Sequence, residues 1–179
     1  STWFIGEEFV LQKVNPLFAA SVNQDIAAIT EVLRDAEVPV PRLLKTRSGA
    51  PCLEHDGTWR VMTRLRGRTI HRVESPTQAH SAAQLIATFH STLRGSTHRF
   101  AFTRPGAHDT KAHMAFLKAA IEAHPNHRFT PEIQKIAHDI IGRWRALPEA
   151  RPLPPMIVHG DLKISNLLFD GQERAIGLI

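Results

Sequence analysis

Short apolar runs separated by polar and glycine positions lie near both ends of the chain, and this spacing predicts β-strands. At the start, Trp3–Ile5 and Phe9–Val14 flank Gly6-Glu7-Glu8, which predicts a β-hairpin. Three apolar runs near the end predict a strand, a polar loop, a second strand, a turn and a third strand: Met156–Val158, Leu167–Phe169 and Ala175–Ile179.

The middle of the chain carries apolar positions at helical spacing. Ile26, Ile29 and Leu33 mark one face of a helix over residues 23–36, with Asn23 as its N-cap. Apolar positions also recur every three or four residues in three later segments: Ala83, Ile86, Phe89 and Leu93; Met114, Leu117 and Ile121; Ile133, Ile136, Ile140, Trp144 and Leu147. We expect these faces to pack in the core.

Prolines and turn residues divide these elements. Val-Pro-Val-Pro at 38–41 predicts an extended segment, because proline disfavours helix at its own position and at the one before. Asp56-Gly57 predicts a turn before a strand over Trp59–Leu65. Ser75-Pro76 is typical of a helix start, and Asp109 is expected to be the N-cap of a later helix. The mixture of strands and helices indicates an α+β fold.

The loop His159-Gly-Asp-Leu-Lys-Ile-Ser-Asn166 has the spacing of the kinase catalytic loop H-R-D-L-x-x-x-N. In such a loop Asp161 can orient a substrate hydroxyl and accept its proton, and Asn166 can offer its amide oxygen to a hard cation. Lys163 can reach a transferring phosphoryl group, whose negative charge needs cationic partners. The alternative is a plain His-Gly-Asp turn, in which the aspartate bonds its own backbone.

The eight-residue loop 159–166 is followed by an apolar strand and a Leu-Ile strand, and this arrangement resembles the aminoglycoside phosphotransferase and choline kinase group. The segments F-V-L-Q-K-V-N-P (9–16) and W-R-V-M-T-R-L-R-G-R-T (59–69) resemble most closely its N-acetylhexosamine 1-kinase branch. The resemblance implies a two-lobed, protein-kinase-like α+β fold with both lobes incomplete. Residues 1–66 would form a β-rich nucleotide-binding lobe, and residues 67–179 a helical lobe with the catalytic loop.

The resemblance also assigns roles to residues outside the loop. Lys13 would hold the ATP phosphates, although the same residue could be an ordinary solvated strand lysine. A carboxylate on the first helix would pair with Lys13, and this is Asp25 by alignment, with Glu31 as the alternative. Backbone groups near Thr63 and Arg64 would bind adenine.

The implied reaction is Mg²⁺-dependent transfer of the γ-phosphoryl group of ATP to a hydroxyl of a small molecule. A sugar such as an N-acetylhexosamine is the preferred acceptor, with aminoglycosides, choline and homoserine as alternatives. The family places a metal-binding aspartate directly after its Leu-Ile strand, and this chain stops at Ile179. We therefore expect a fragment truncated at both ends, and an inactive fragment or a nucleotide-binding pseudokinase stays open.

Charge and composition exclude other classes of function. The net charge of +5 comes from scattered Lys and Arg, densest around 64–72, where they could attract nucleotide phosphates. A nucleic-acid surface would need a basic stripe with interleaved aromatics, and tyrosine is absent, so we expect no nucleic-acid partner.

Cys52 is the single cysteine, which excludes a disulfide framework. No apolar run is long enough for a membrane span and no signal segment follows Ser1, so we expect no membrane partner and a cytoplasmic location.

Overall fold

The computed structural model describes residues 1–149, 151 and 153–179. It forms two compact units, the first made of residues 1–103 and 155–179 and the second of residues 104–154. The predicted α+β class is confirmed, since the chain combines small antiparallel sheets with helices. The division into lobes after residue 66 lies inside the first unit and stays a prediction.

The first sheet has four antiparallel strands in the order β1-β2-β4-β3. Its strands are β1 Thr2–Ile5, β2 Phe9–Lys13, β3 Leu53–Glu54 and β4 Thr58–Thr63. The predicted N-terminal hairpin is confirmed, with Gly6 in its turn at φ +56°. The predicted turn before β4 is also confirmed, since Asp56 and Gly57 adopt φ values of +46° and +105°.

The two faces of this sheet carry different side chains, because successive residues of a strand point in opposite directions. Lys13 of β2 lies opposite Trp59 of β4, and the Trp59 ring stacks on Trp3 with 5.7 Å between ring centroids. Gln12 lies opposite both Thr2 and Arg60 on the other face. At this end of the sheet one face therefore carries Lys13 and the two tryptophans, and the other, called the polar face below, carries Thr2, Gln12 and Arg60.

Helix α1, Val22–Asp35, follows the hairpin and agrees with the predicted helix within a residue at each end. Its N-cap is Ser21, so the prediction that Asn23 is the N-cap is wrong. Asn23 lies in the first turn, fully buried, and its amide nitrogen donates to the Ala20 carbonyl oxygen at 3.0 Å. Its side chain is used inside the fold instead of at the helix end.

The second sheet has the order β5-β6-β7, with β5 Arg68–Thr69, β6 Leu167–Phe169 and β7 Ala175–Leu178. Helix α2, Pro76–Thr92, packs against β7 and is capped by Ser75, as its sequence predicts. The prediction of a strand at Met156–Val158 is wrong: the segment is irregular and belongs to neither sheet, and Met156 and Val158 are 50% and 60% exposed.

An apolar core joins α1, α2 and the second sheet. Leu33 of α1 and Phe89 of α2 meet Phe169 and Leu178 there, and all four are almost fully buried. Ala175 adds a polar connection, because its N–H donates to the Ser81 hydroxyl of α2 at 2.7 Å. The loop between residues 159 and 166 is thus attached to a well-packed base.

The second unit contains helices α3 Thr110–Ala123 and α4 Thr130–Ala146. Asp109 caps α3 as predicted, accepting a hydrogen bond from the Ala112 N–H at 2.9 Å. The predicted face of α3, Met114, Leu117 and Ile121, is half-buried, and no residue of this helix is fully buried. The prediction that the face of α4 is core is wrong for the described residues, since Ile136 is 52% exposed and its neighbours on that face are exposed as well: Ile133, Ile140, Trp144 and Leu147.

None of the helices in the described ranges combines the length and the hydrophobicity that crossing a bilayer would need.

Candidate functional site

The loop that resembles the kinase catalytic loop runs from His159 into β6. Gly160 has φ +81°, and a Cβ added there would meet no other atom within 4 Å, so glycine is needed for its backbone angle rather than for space. A 3₁₀ turn over Ile164–Asn166 follows, and the Asn166 N–H donates to the Lys163 carbonyl oxygen at 2.9 Å. The loop returns directly into a buried strand.

The structure brings Asp161, Lys163 and Asn166 together, as the sequence predicts. The Lys163 ammonium donates to Oδ2 of Asp161 at 2.8 Å. The Asn166 amide nitrogen donates to the same oxygen at 3.1 Å and to the Asp161 carbonyl oxygen at 2.8 Å. One carboxylate oxygen is therefore fixed by two donors, and the geometry fits a group that must be held in a set orientation.

These hydrogen bonds also set the charge of Asp161. The hydrogen bond from Lys163, assisted by the one from Asn166, holds the pKa of this carboxyl below its ordinary value. The side chain stays 66% exposed, so a bound molecule can approach it. Asp161 is an ionised, oriented acceptor at neutral pH.

The donor set of this loop fits a hard divalent cation. Within the described residues no hydrogen bond uses Oδ1 of Asn166, and the Asp161 carboxylate lies beside that amide. Mg²⁺ commonly takes one or two protein carboxylates together with phosphate oxygens and water. Among the residues with described positions, no cluster of three His, Cys, Asp or Glu side chains forms a closed metal site.

His159 is the first residue of the loop and packs against α2, and no role was predicted for it from the sequence. Its ring lies edge-on to Phe89, with 6.1 Å between centroids. Burial lowers the pKa of His159, so the ring is neutral at pH 7. The histidine acts as a packed spacer between α2 and the loop.

Lys13 lies on the tryptophan face of the first sheet. Its ammonium is 3.2 Å from Oδ2 of Asp56 and 5.3 Å from the centre of the Trp59 ring. Gly57 permits this arrangement, because a Cβ there would come within 2.8 Å of the lysine Cε. The predicted pair between Lys13 and Asp25 does not form.

Asp25 instead anchors the segment that follows α2. Its carboxylate accepts hydrogen bonds from the His98 ring at 2.9 Å and from the N–H groups of Ala101 and Phe102 at 2.8 and 2.9 Å. Burial favours the neutral acid, yet these hydrogen bonds outweigh it and lower the pKa of Asp25. The alternative carboxylate, Glu31, pairs with Arg34 on its own helix at 2.6 Å.

The predicted adenine-binding segment begins at Thr63, the last residue of β4. The N–H groups of Thr63 and Arg64 are both occupied, since they donate to the carbonyl oxygens of Arg42 and Glu8 at 2.9 and 2.7 Å. In the described part of the chain, the N–H groups of Leu65 and Arg66 make no such bond. Within the described residues, Leu65 and Arg66 thus have the unoccupied N–H groups of this segment, and adenine binding near Thr63 and Arg64 stays a prediction.

Sequence reasoning missed the polar face of the first sheet. Gln12 immediately precedes Lys13, and its side chain accepts from Arg60 of β4 at 2.9 Å. Arg60 in turn donates to Asn23 of α1 at 3.3 Å. The signal was present in the strand alternation, which puts Gln12 and Lys13 on opposite faces.

Comparison with known proteins agrees with this fold. The model of the phosphotransferase enzyme family matches residues 1–179. The chain is also similar to the crystal structure of an aminoglycoside phosphotransferase from Alicyclobacillus acidocaldarius subsp. acidocaldarius DSM 446, at 17% identity and a TM-score of 0.62. The similarity covers 100% of this chain and 60% of that one, and at this identity it shows the fold alone. A search of curated proteins found no match.

Proposed function

The chain belongs to the phosphotransferase enzyme family, and from this premise we propose that its full-length protein transfers the γ-phosphoryl group of ATP to a hydroxyl of a small molecule. The observation that carries the proposal is the ionised Asp161, held by Lys163 and Asn166 and open to solvent. A carboxylate so placed can position a hydroxyl and accept its proton as the new O–P bond forms.

The other residues of the loop have complementary parts in the proposed reaction. Lys163 neutralises charge on the transferring group, and in the resting state it holds Asp161. Asn166, with Asp161 beside it, would hold Mg²⁺, which neutralises phosphate charge when bound. The proposed reaction needs no covalent intermediate with the protein. The protein would accelerate transfer by orienting the two substrates and by neutralising phosphate charge.

The nucleotide would lie between the first sheet and this loop. In the proposal the N–H groups of Leu65 and Arg66, rather than those of Thr63 and Arg64, face the adenine edge, because the latter two are occupied within the protein. A cation of the first sheet holds the phosphates. The sequence predicts Lys13 for this role, and its contact with Asp56 makes that assignment a question for experiment.

The proposed acceptor is a sugar, with an N-acetylhexosamine first. Support comes from the segments over 9–16 and 59–69 and from the net charge of +5, which does not suit a polycationic aminoglycoside. Choline and homoserine carry less charge and are the next acceptors to test. The chain spans 60% of the length of the solved structure it resembles, so the acceptor pocket is tested on the full-length protein.

ADP release by the full-length protein tests the proposal. ATP and Mg²⁺ would be supplied with N-acetylhexosamines, hexoses, aminoglycosides, choline and homoserine in turn, and Asp161→Ala would be the control. Release that requires both one class of acceptor and Asp161 is expected. ATP binding without any acceptor-dependent release would favour a pseudokinase, and failure to bind ATP would overturn the proposal.

A further inference from the structure

Arg60 is a cation held by neutral side chains on the polar face of the first sheet. Its Nε donates to Oε1 of Gln12 at 2.9 Å, and its Nη1 donates to Oδ1 of Asn23 at 3.3 Å. Gln12 is itself held by Thr2, to which its amide nitrogen donates at 3.2 Å. Asn23 is fully buried. The guanidinium is therefore fixed in orientation by two amide groups.

No carboxylate neutralises this guanidinium. Within the described residues Arg60 makes no ion pair, whereas the cations of Arg34, Arg143 and Arg174 each contact an Asp or Glu. The side chain is partly buried, which lowers the pKa of Arg60, yet a guanidinium stays charged at physiological pH. Within the described residues its Nη2 makes no hydrogen bond, so this group has N–H donors that an anion can accept.

The face on which Arg60 lies is the face toward α1. The hydrogen bond to Asn23 joins β4 to the first turn of this helix. Further along the same helix, Leu33 enters the core with Phe169 and Leu178 of the sheet that follows the Asp161 loop. Lys13 lies on the opposite face, over Trp59. Of the two cations, Arg60 is thus on the side that α1 links to the catalytic loop.

We propose that Arg60, rather than Lys13, is the cation of the first sheet that binds the phosphate groups of the nucleotide, an inference that rests on the proposed phosphotransferase function. The planar guanidinium can donate two parallel hydrogen bonds to a phosphate. Gln12 and Asn23 orient it without cancelling its charge. Lys13, by contrast, is paired with the Asp56 carboxylate, and this negative charge weakens its attraction for a phosphate.

Nucleotide binding by the full-length protein tests the assignment. ATP and adenosine would each displace a fluorescent ATP analogue from the wild type, Arg60→Gln, Arg60→Lys and Lys13→Gln in the presence of Mg²⁺. Arg60→Gln should weaken ATP binding about tenfold or more and leave adenosine binding unchanged, since only the phosphates contact residue 60. Lys13→Gln is the matched control and should stay within about twofold of the wild type.

Several results would overturn the inference. The first is an unchanged ATP affinity in Arg60→Gln, and the second is an equal loss of ATP and adenosine binding in that variant. The third is a loss of ATP binding in Lys13→Gln without one in Arg60→Gln. Should Arg60→Gln fail to fold, Arg60→Lys decides: it keeps the charge without the planar fork, and ATP should weaken severalfold while adenosine does not. Wild-type ATP affinity in Arg60→Lys would then count against the proposal. A wild type that binds no ATP would overturn the proposed function as well, whereas normal ATP transfer by Arg60→Gln would overturn only this assignment.

Discussion

The carboxylate of Asp25 accepts a hydrogen bond of 2.9 Å from the ring of His98, although 73 positions separate the two residues. With the N–H groups of Ala101 and Phe102 it joins α1 to the segment after α2. The sequence assigned this carboxylate to Lys13 and nucleotide binding. In the structure Asp25 is a buried anchor, with only 5% of its side chain exposed.

We expect Asp25→Ala to lower the free energy of unfolding by about 2 kcal/mol, because two backbone donors and the His98 ring lose their acceptor. Urea denaturation would measure the loss. Asp35→Ala removes an exposed carboxylate on the same helix and should change stability by less than about 0.5 kcal/mol. An equal effect of both substitutions would contradict the anchor role.

The stabilisation by Asp25 should depend on pH. Its folded-state pKa lies below the ordinary value, so the contribution is present above the unfolded pKa and is lost as pH falls through the folded one. The difference in unfolding free energy between the wild type and Asp25→Asn should therefore shrink in acid. A difference that stays constant from neutral pH down to the acid transition would show that Asp25 does not act through its charge.

Asp161→Asn should reduce phosphoryl transfer by about 100-fold or more, because an amide cannot accept the hydroxyl proton. ATP affinity should stay within about twofold, since the aspartate faces the acceptor in the proposed reaction. Initial rates and nucleotide titrations on the full-length protein would separate the two effects. A parallel loss of rate and ATP affinity would mean that the residue organises the nucleotide site instead.

Lys163→Met should raise the pKa of Asp161, because the hydrogen bond from Lys163 is the main cause that lowers it. Carbon-13 NMR of the aspartate carboxyl, titrated from pH 7 into acid, would give the pKa directly. Lys118→Met, an exposed lysine on α3, is the matched control and should leave the Asp161 titration unchanged. An unchanged Asp161 titration in Lys163→Met would show that Lys163 does not interact with this carboxylate in solution.

Gly67→Ala should destabilise the protein by about 2 kcal/mol or more. Gly67 has φ +125°, and an added Cβ would lie 3.0 Å from Cβ of Leu168 and 3.2 Å from the Phe169 carbonyl oxygen. Gly95→Ala supplies the comparison, because Gly95 also has a positive φ, +77°, and has nothing within 4 Å of the added atom. Thermal unfolding should show a smaller loss for Gly95→Ala, of about 1 kcal/mol, and equal losses would exclude the steric contribution at Gly67.

The sequence predicted those features whose cause is local. The hairpin around Gly6, the Ser75 cap and the Asp109 cap follow from spacing and turn chemistry within a few residues, and each is present. The approach of Asp161, Lys163 and Asn166 is equally local, because one short loop contains all three. Such contacts need no knowledge of the tertiary fold.

The features that the sequence missed depend on distant partners. Lys13 was assigned by its place in a strand, but its partner is decided by which face of the sheet it occupies and by the Asp56 turn. The segment around Ile157 has the apolar residues of a strand, yet it pairs with no strand of either sheet. The apolar spacing of α4 predicts a core face, yet Ile136 is 52% exposed, since burial depends on which distant elements pack against a helix.

The end of β7 connects two parts of the first unit through backbone hydrogen bonds. The Leu178 N–H donates to the Pro39 carbonyl oxygen at 3.0 Å, and the next N–H, of Ile179, donates to the Asn166 carbonyl oxygen at 2.8 Å. The extended segment that contains Pro39 is therefore joined through two hydrogen bonds of β7 to Asn166, the last residue of the loop that carries Asp161. Since this segment follows α1 in the chain, the end of β7 connects that helix to Asn166 by a short path of backbone and two hydrogen bonds.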